Sequence, residues 1–294
     1  MRRSLASTIV CVAAGAALTL SACGPDAPAA QGKLNVVAAF YPLQYAAAQV
    51  GGTNIDVTNL TQPGVEPHDI ELSAAQVVDI ANADLVVYIR GFQPAVDEAV
   101  DQQAADHSLD VAQDLTRLSG EGGVDPHVWL DPANMSKIGT SISDRLATID
   151  PEQRTAFASN AKTFSTAMGE LSSTMKKTLA DCAIKTLVVS HEAFGYLAKA
   201  LGFTQVGISG LDPEAEPSPA RIRDVANVVH QQGVTAIYYE SLVDPKVAQT
   251  IADETGAKAV MLDPLEGLQP NSNGDYLSVM KANLSALKIG QKCS

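Results

Sequence analysis

Apolar residues along this chain fall into short runs, separated by stretches in which they recur every three or four positions. Leu34–Phe40 is one such run, stopped by Pro42. Ile55–Leu60 alternates, and Asp84–Ile89 is almost wholly apolar, as a strand covered on both faces should be. Helical spacing fills the intervals, most clearly over Ser73–Ala83 and Ala133–Thr148. The second half repeats the rhythm. Thr186–Ser190, Thr204–Ser209, Ala236–Glu240 and Lys258–Leu262 read as strands, and Pro219–Gln232, Pro245–Thr255 and Asp275–Leu287 as helices. Alternation of this kind predicts an α/β fold with parallel sheets flanked by helices.

Between the halves, from Pro151 to Asp181, the pattern changes. Phe157, Ala161, Phe164, Met168, Leu171 and Met175 are spaced alternately by four and three, the apolar seam of one long helix. Pro151 suits the first turn. At 1.5 Å per residue such a helix is roughly 45 Å long, a stiff strut between two lobes or a helix packed along one of them.

Composition fits this reading and narrows the function. Apolar residues make up 46% of the 294, and charged residues only 18%, so the chain has material for large cores. The net charge of −13 disfavours nucleic acid and anionic lipid head groups as partners. Arg2 and Arg3 precede an uncharged stretch from Ser4 to Ala22, the layout of a secretory signal. That stretch ends in Leu20-Ser21-Ala22-Cys23, which resembles the bacterial lipobox. The resemblance implies a signal peptide over residues 1–22, lipidation of Cys23 and anchoring to the membrane. A plain membrane anchor is the alternative. Residues 24–32, rich in Pro and Ala, read as a tether. Apart from Cys11 and Cys23, only Cys182 and Cys293 remain. In an oxidising compartment two cysteines usually pair, although two separate buried thiols are the alternative.

The chain has five histidines. His68 lies in Pro63-Gly-Val-Glu-Pro-His-Asp-Ile-Glu71, just after a strand. His127 lies in Asp125-Pro-His-Val-Trp-Leu-Asp-Pro132, ahead of a helix. His191 directly follows the strand ending at Ser190. Ligand sites of open α/β sheets form at such positions. One histidine so placed is explained by capping or packing, but three spread over both halves point to a shared site. A fourth donor is expected from Val260-Met-Leu-Asp-Pro-Leu-Glu-Gly267. There Asp263 is suited to bracing the turn before Pro264, leaving Glu266 to reach the metal. Three imidazoles and a carboxylate suit tetrahedral zinc. His107, in an acidic stretch, and His230, late in a helix, read as structural.

These motifs, in this order around a central helix, resemble the zinc- and manganese-binding proteins of metal ABC importers, the ZnuA/TroA-like family. The resemblance implies two (β/α) lobes with parallel sheets joined by one long rigid helix, with the metal site in the interlobe cleft. It divides the chain into a lipoprotein signal peptide (1–22), a lipid-anchored tether (23–33), a first lobe (34–150), a linking helix (151–182) and a second lobe (183–294). His68 and His127 would come from the first lobe, and His191 with Asp263 or Glu266 from the second. The implied partners are an ABC permease with its cytoplasmic ATPase, and the implied location is the outer side of a bacterial membrane. A monomer is expected. Manganese-selective relatives tend to carry glutamate at the third histidine, so His191 favours Zn2+ over Mn2+. Many zinc members carry a His-rich acidic loop before the second motif; Gln113–Val124 has no histidine, which keeps Mn2+ in play.

Two rivals share these residues. A secreted zinc metallohydrolase would need an open coordination position, but neither His-Glu-x-x-His nor Gly-x-Ser-x-Gly occurs. A surface adhesin could use the same fold as a scaffold. The pattern favours a binding protein without catalytic residues.

Overall fold

The computed structural model describes residues 32–120 and 122–294. The predicted Cys23 lipidation site, signal peptide and most of the tether lie outside them. In chain order the first half runs β1 (Leu34–Ala38), α1 (Tyr41–Gly51), β2 (Ile55–Asn59), α2 (Ala74–Asn82), β3 (Leu85–Tyr88), α3 (Pro94–Gln103), β4 (Ser108–Asp110), β5 (Leu118–Gly120), β6 (Gly123–Asp125) and α4 (Pro132–Ile149). A 3-10 turn and the long α5 (Arg154–Thr178) follow. The second half runs β7 (Thr186–Val189), α6 (Gly195–Leu201), β8 (Thr204–Gly207), α7 (Pro219–Gln232), β9 (Ala236–Tyr239), α8 (Lys246–Thr255), β10 (Lys258–Met261) and α9 (Tyr276–Gly290).

The two halves share one topology. β1, β2, β3 and β4 form a parallel sheet in the order β2-β1-β3-β4, and β7 to β10 form another in the order β10-β9-β7-β8. In each, the first strand is central, the second pairs on one side, and the third and fourth extend the other. The strand order therefore reverses beside β1 and again beside β7, and such switch points leave a crevice at the strands' C-terminal ends.

Local chemistry sets the helix starts. Ser73 caps α2 with Gln76 in a reciprocal capping box, and Asp275 caps α9 with Ser278 in the same way. The central helix is shorter than the seam predicts. Pro151–Gln153 form a 3-10 turn, capped by the Asp150 side chain, before 25 α-helical residues begin at Arg154. At 1.5 Å per residue these span about 37 Å. Phe157, Ala161, Phe164, Met168, Leu171 and Met175 are all buried. α5 packs on α1 and α4 of the first lobe and on α6 and α9 of the second. One hydrophobic core therefore runs across both lobes, with a second cluster around Val188, Ile237 and Ile251 inside the second lobe. Cys182 and Cys293 form a disulfide that ties the start of the second half to the C-terminal residues. Among the described residues no helix is long and apolar enough to cross a membrane.

Candidate metal centre

Three loops at the ends of the two parallel sheets converge with a fourth that follows the β5–β6 hairpin. After β2, the loop carrying His68 is pinned from below: Gln93 Nε2 donates to the Pro67 carbonyl at 3.0 Å and to Thr61 Oγ1 at 3.1 Å. After β6, Asp125 accepts the His127 backbone N–H at 2.9 Å, forming the turn that exposes the imidazole to the cluster. His191 follows β7 within two residues. After β10, the turn from Asp263 to Glu266 carries Leu265 at φ 56°. That left-handed residue is braced by Asp263, whose Oδ1 accepts the Leu265 N–H at 2.7 Å and whose Oδ2 accepts the Ser241 hydroxyl at 2.8 Å. Asp263 thus spends its carboxylate on the turn and stays out of the cluster.

His68, His127, His191 and Glu266 bring one donor atom each to within 4.8 Å of one another. His127 Nε2 lies 3.3 Å from His68 Nε2 and 3.2 Å from His191 Nε2. Glu266 Oε1 lies 3.4, 3.2 and 3.3 Å from the Nε2 atoms of His68, His127 and His191. A tetrahedron with zinc–ligand distances of about 2.0–2.1 Å has edges of about 3.3–3.4 Å. The spacing of these five donor pairs is that of a tetrahedral zinc shell. Glu266 Oε2 is buried and has no hydrogen-bond partner among the described residues, which leaves it free as a further metal donor. His127, His191 and Glu266 have no side-chain exposure, and His68 has 11%. His68 lines a pocket of about 290 Å³ with Arg90, Arg117 and Asp212, so solvent reaches the cluster from its side.

Comparison with known proteins settles the family. The model for the zinc-uptake complex component A periplasmic family, ZnuA, matches residues 36–290. The chain belongs to the ZnuA family. The zinc-binding protein AdcA of Streptococcus pyogenes serotype M6 is 34% identical over 290 residues, which cover 88% of this chain and 56% of AdcA. The chain thus spans little more than half the length of that relative. The high-affinity zinc uptake system protein ZnuA of Bacillus subtilis is 32% identical over 303 residues, covering 94% of this chain and 95% of its own. The Zn(II)-bound ZnuA-like domain of Streptococcus pneumoniae AdcA superposes with a TM-score of 0.78 at 35% identity, covering 88% of this chain and 99% of that domain.

Within this ZnuA-family site the electrostatics are strongly coupled. Burial pulls His191 down, but Glu240 and Glu266 outweigh it and hold its pKa well above the ordinary 6.5. Burial likewise opposes His127, and Asp125 with Glu266 raises it. Burial pushes Glu266 up, and the imidazoles overturn that, holding it well below the ordinary 4.5. Glu66, beside His68, is pushed up to about 8 by burial and by Glu266. Asp263 is raised by burial despite its two bonds.

Lobe-crossing bonds surround the cluster. Trp129 Nε1 donates to the Pro264 carbonyl at 2.7 Å, and the Tyr276 hydroxyl donates to the Trp129 carbonyl at 2.7 Å. Gly64 N–H donates to Leu268 at 2.8 Å, and Gly64 has φ 85° with Pro270 against its α-carbon, a place no β-carbon fits. His107 instead bonds Asp106 and the Ile80 carbonyl, and His230 is exposed on α7, both away from the cluster. Sequence reasoning missed the β5–β6 hairpin and the bonds that two carboxylates make behind the imidazoles: Asp125 on His127 Nδ1 at 2.8 Å and Glu240 on His191 Nδ1 at 2.6 Å. Glu240 had a signal, being an acid at the end of the apolar Ala236-Ile-Tyr-Tyr239 strand.

Proposed function

We propose that this chain captures zinc outside the cytoplasmic membrane and delivers it to an ABC importer of a permease and its cytoplasmic ATPase. The observation that carries this is the tetrahedral spacing of His68, His127, His191 and Glu266, drawn from both lobes. In this reading the first lobe covers residues 34–150, the linking helix 151–182 and the second lobe 183–294, with zinc as cargo between the lobes. Nitrogen-rich tetrahedral coordination favours Zn2+ over Mn2+, which binds such donors more weakly and prefers oxygen. Four protein donors close the shell, whereas catalytic zinc keeps a position open for water; this favours a binder over a hydrolase. Lipidation at Cys23 would hold the domain at the membrane, and the likeness to lipoprotein relatives supports it. The test is metal analysis of protein purified without chelators, followed by calorimetric competition between zinc and manganese. One tightly held zinc per chain is expected. Tighter manganese binding, or no stoichiometric zinc, would overturn the proposal.

A further inference from the structure

Two buried carboxylates stand behind the imidazoles, and they differ in what else they do. Asp125 bonds the His127 ring and also the His127 backbone, so it builds the turn as well. Glu240 has no backbone duty of that kind. It comes from the end of β9, 49 residues along the chain from His191, and is only 3% exposed. Its Oε1 takes His191 Nδ1 at 2.6 Å and the Ser190 hydroxyl. Its Oε2 is buried with no hydrogen-bond partner among the described residues. A buried carboxylate with an unsatisfied oxygen costs stability. On the other side of Glu240 from the cluster lies a cavity of about 120 Å³, lined by Ser190, Ser209, Glu216, Tyr239, Glu240 and Asp244. It occupies the switch-point crevice of the second sheet, between the ends of β7 and β9.

We propose that Glu240 is a positioning residue for zinc capture: it holds His191 as the Nδ1–H tautomer, with the Nε2 lone pair turned to the metal, and it adds a buried negative charge that favours a dication. A neutral imidazole has a single N–H. A carboxylate accepting at Nδ1 keeps that hydrogen on Nδ1 and leaves Nε2 bare, the atom that faces His127 and Glu266. The same pairing of carboxylate with imidazole raises ligand basicity and fixes ring orientation. This inference rests on the zinc-binding role proposed above.

The cavity behind Glu240 permits a test that a merely structural role would not pass. Glu240→Ala joins the cavity to the space beside His191 Nδ1, where a small carboxylate can replace the lost one. Zinc affinity of the wild type, Glu240→Ala and Glu240→Gln is measured by chelator competition, with formate or with chloride at matched ionic strength. Glu240→Ala should weaken zinc binding by about 10- to 100-fold, and formate should restore it where chloride does not. Glu240→Gln keeps an acceptor but not the charge; it should bind zinc more weakly than wild type and ignore formate, because its side chain fills the space. Undiminished affinity in both variants overturns the proposal, and so does a loss in Glu240→Ala that formate leaves untouched. If Glu240→Ala fails to fold, Glu240→Gln decides alone, and wild-type affinity there overturns it. Wild-type protein that does not bind zinc would remove the function itself, whereas zinc-binding wild type with unaffected variants removes only the role of Glu240.

Discussion

Replacing Glu266 by Gln is the sharpest perturbation of the cluster. The substitution keeps the side chain's shape and removes the one negative charge that all three imidazoles share. Losing one partner of a fully buried charged set costs about 3–5 kcal/mol, equivalent to a rise in zinc Kd of roughly two to four orders of magnitude. A ligand present at a thousandfold excess over Kd stabilises the folded state by about 4 kcal/mol. In a protein of this size each kcal/mol moves Tm by about 2–4 °C, so zinc should raise the wild-type Tm by roughly 8–16 °C. At the same zinc concentration Glu266→Gln should gain about 1.4 kcal/mol or less, a shift of no more than about 6 °C. The single tryptophan, Trp129, supplies the optical readout: it is fully buried and its ring centre lies 5.1 Å from that of His127. Thermal scans followed by its fluorescence, with and without zinc, measure both quantities. His230→Gln, on the exposed face of α7, is the control and should keep the full shift. A wild-type zinc shift in Glu266→Gln would refute the assignment of Glu266 to the metal shell.

Acidity should act in opposite directions on the metal-free and zinc-loaded forms. The raised pKa values of His127 and His191 give the metal-free fold stability that is complete below about 6.5 and lost as pH rises through the folded values, while the lowered Glu266 gives stability present above about 4.5 and lost only in stronger acid. Zinc binding needs bare imidazoles, so the gap in Tm between the two forms should widen from pH 5.5 to 7.5; calorimetry showing a constant gap contradicts the cluster. Asp263→Asn should lower metal-free Tm by several degrees, because it disturbs the bonds to Leu265 and Ser241, each worth about 1 kcal/mol or more; a Tm equal to wild type would mean the turn does not need its brace. Cys182→Ser opens a loop of 111 residues, and denaturant titration should find up to about 4–5 kcal/mol less stability; wild-type stability under non-reducing conditions would show that the bridge constrains little.

Most of the fold was legible because the sheets are parallel and covered on both faces, which turns each strand into an apolar run. The strands of the second sheet end within two residues of where the pattern puts them, at Val189, Gly207, Tyr239 and Met261. β4 to β6 escaped for the converse reason. Ser108–Asp110, Leu118–Gly120 and Gly123–Asp125 are three residues each, too short and too polar for a period to emerge; β4 is defined by pairing with β3, and β5 and β6 by pairing with each other. The start of α5 was misjudged because Pro151 fits the first turn of either helix type, and only the Asp150 side chain, bonded to two N–H groups, marks the 3-10 turn. Within the cluster, His68, His127 and His191 stood out because each follows a strand or opens a helix. The bond of Glu240 to His191 did not, since nothing along the chain reports that residues 191 and 240 meet side by side across β7 and β9.

That pairing shows how the fold itself places the side chains of the site. β7 and β9 are hydrogen-bonded neighbours, so His191 and Glu240 are brought together by backbone pairing alone. His127 is set by its own Asp125 turn, and Glu266 by a turn whose strain at Leu265 is held by Asp263. Trp129 then joins the His127 motif to the Glu266 turn through the Pro264 carbonyl, and Tyr276 anchors Trp129 in place. His127 and His191 are therefore each held at Nδ1 by a carboxylate outside the cluster, while the Glu266 carboxylate itself meets the three imidazoles. The Nε2 and Oε1 atoms stand near the edge lengths of a tetrahedral shell, the spacing zinc binding requires. The proton competes with zinc for the same nitrogens: the carboxylates that bond the imidazoles also raise their pKa values. A centre organised in this way should hold zinc tightly at neutral pH and lose it steeply in acid, the behaviour that three buried histidines facing one carboxylate impose.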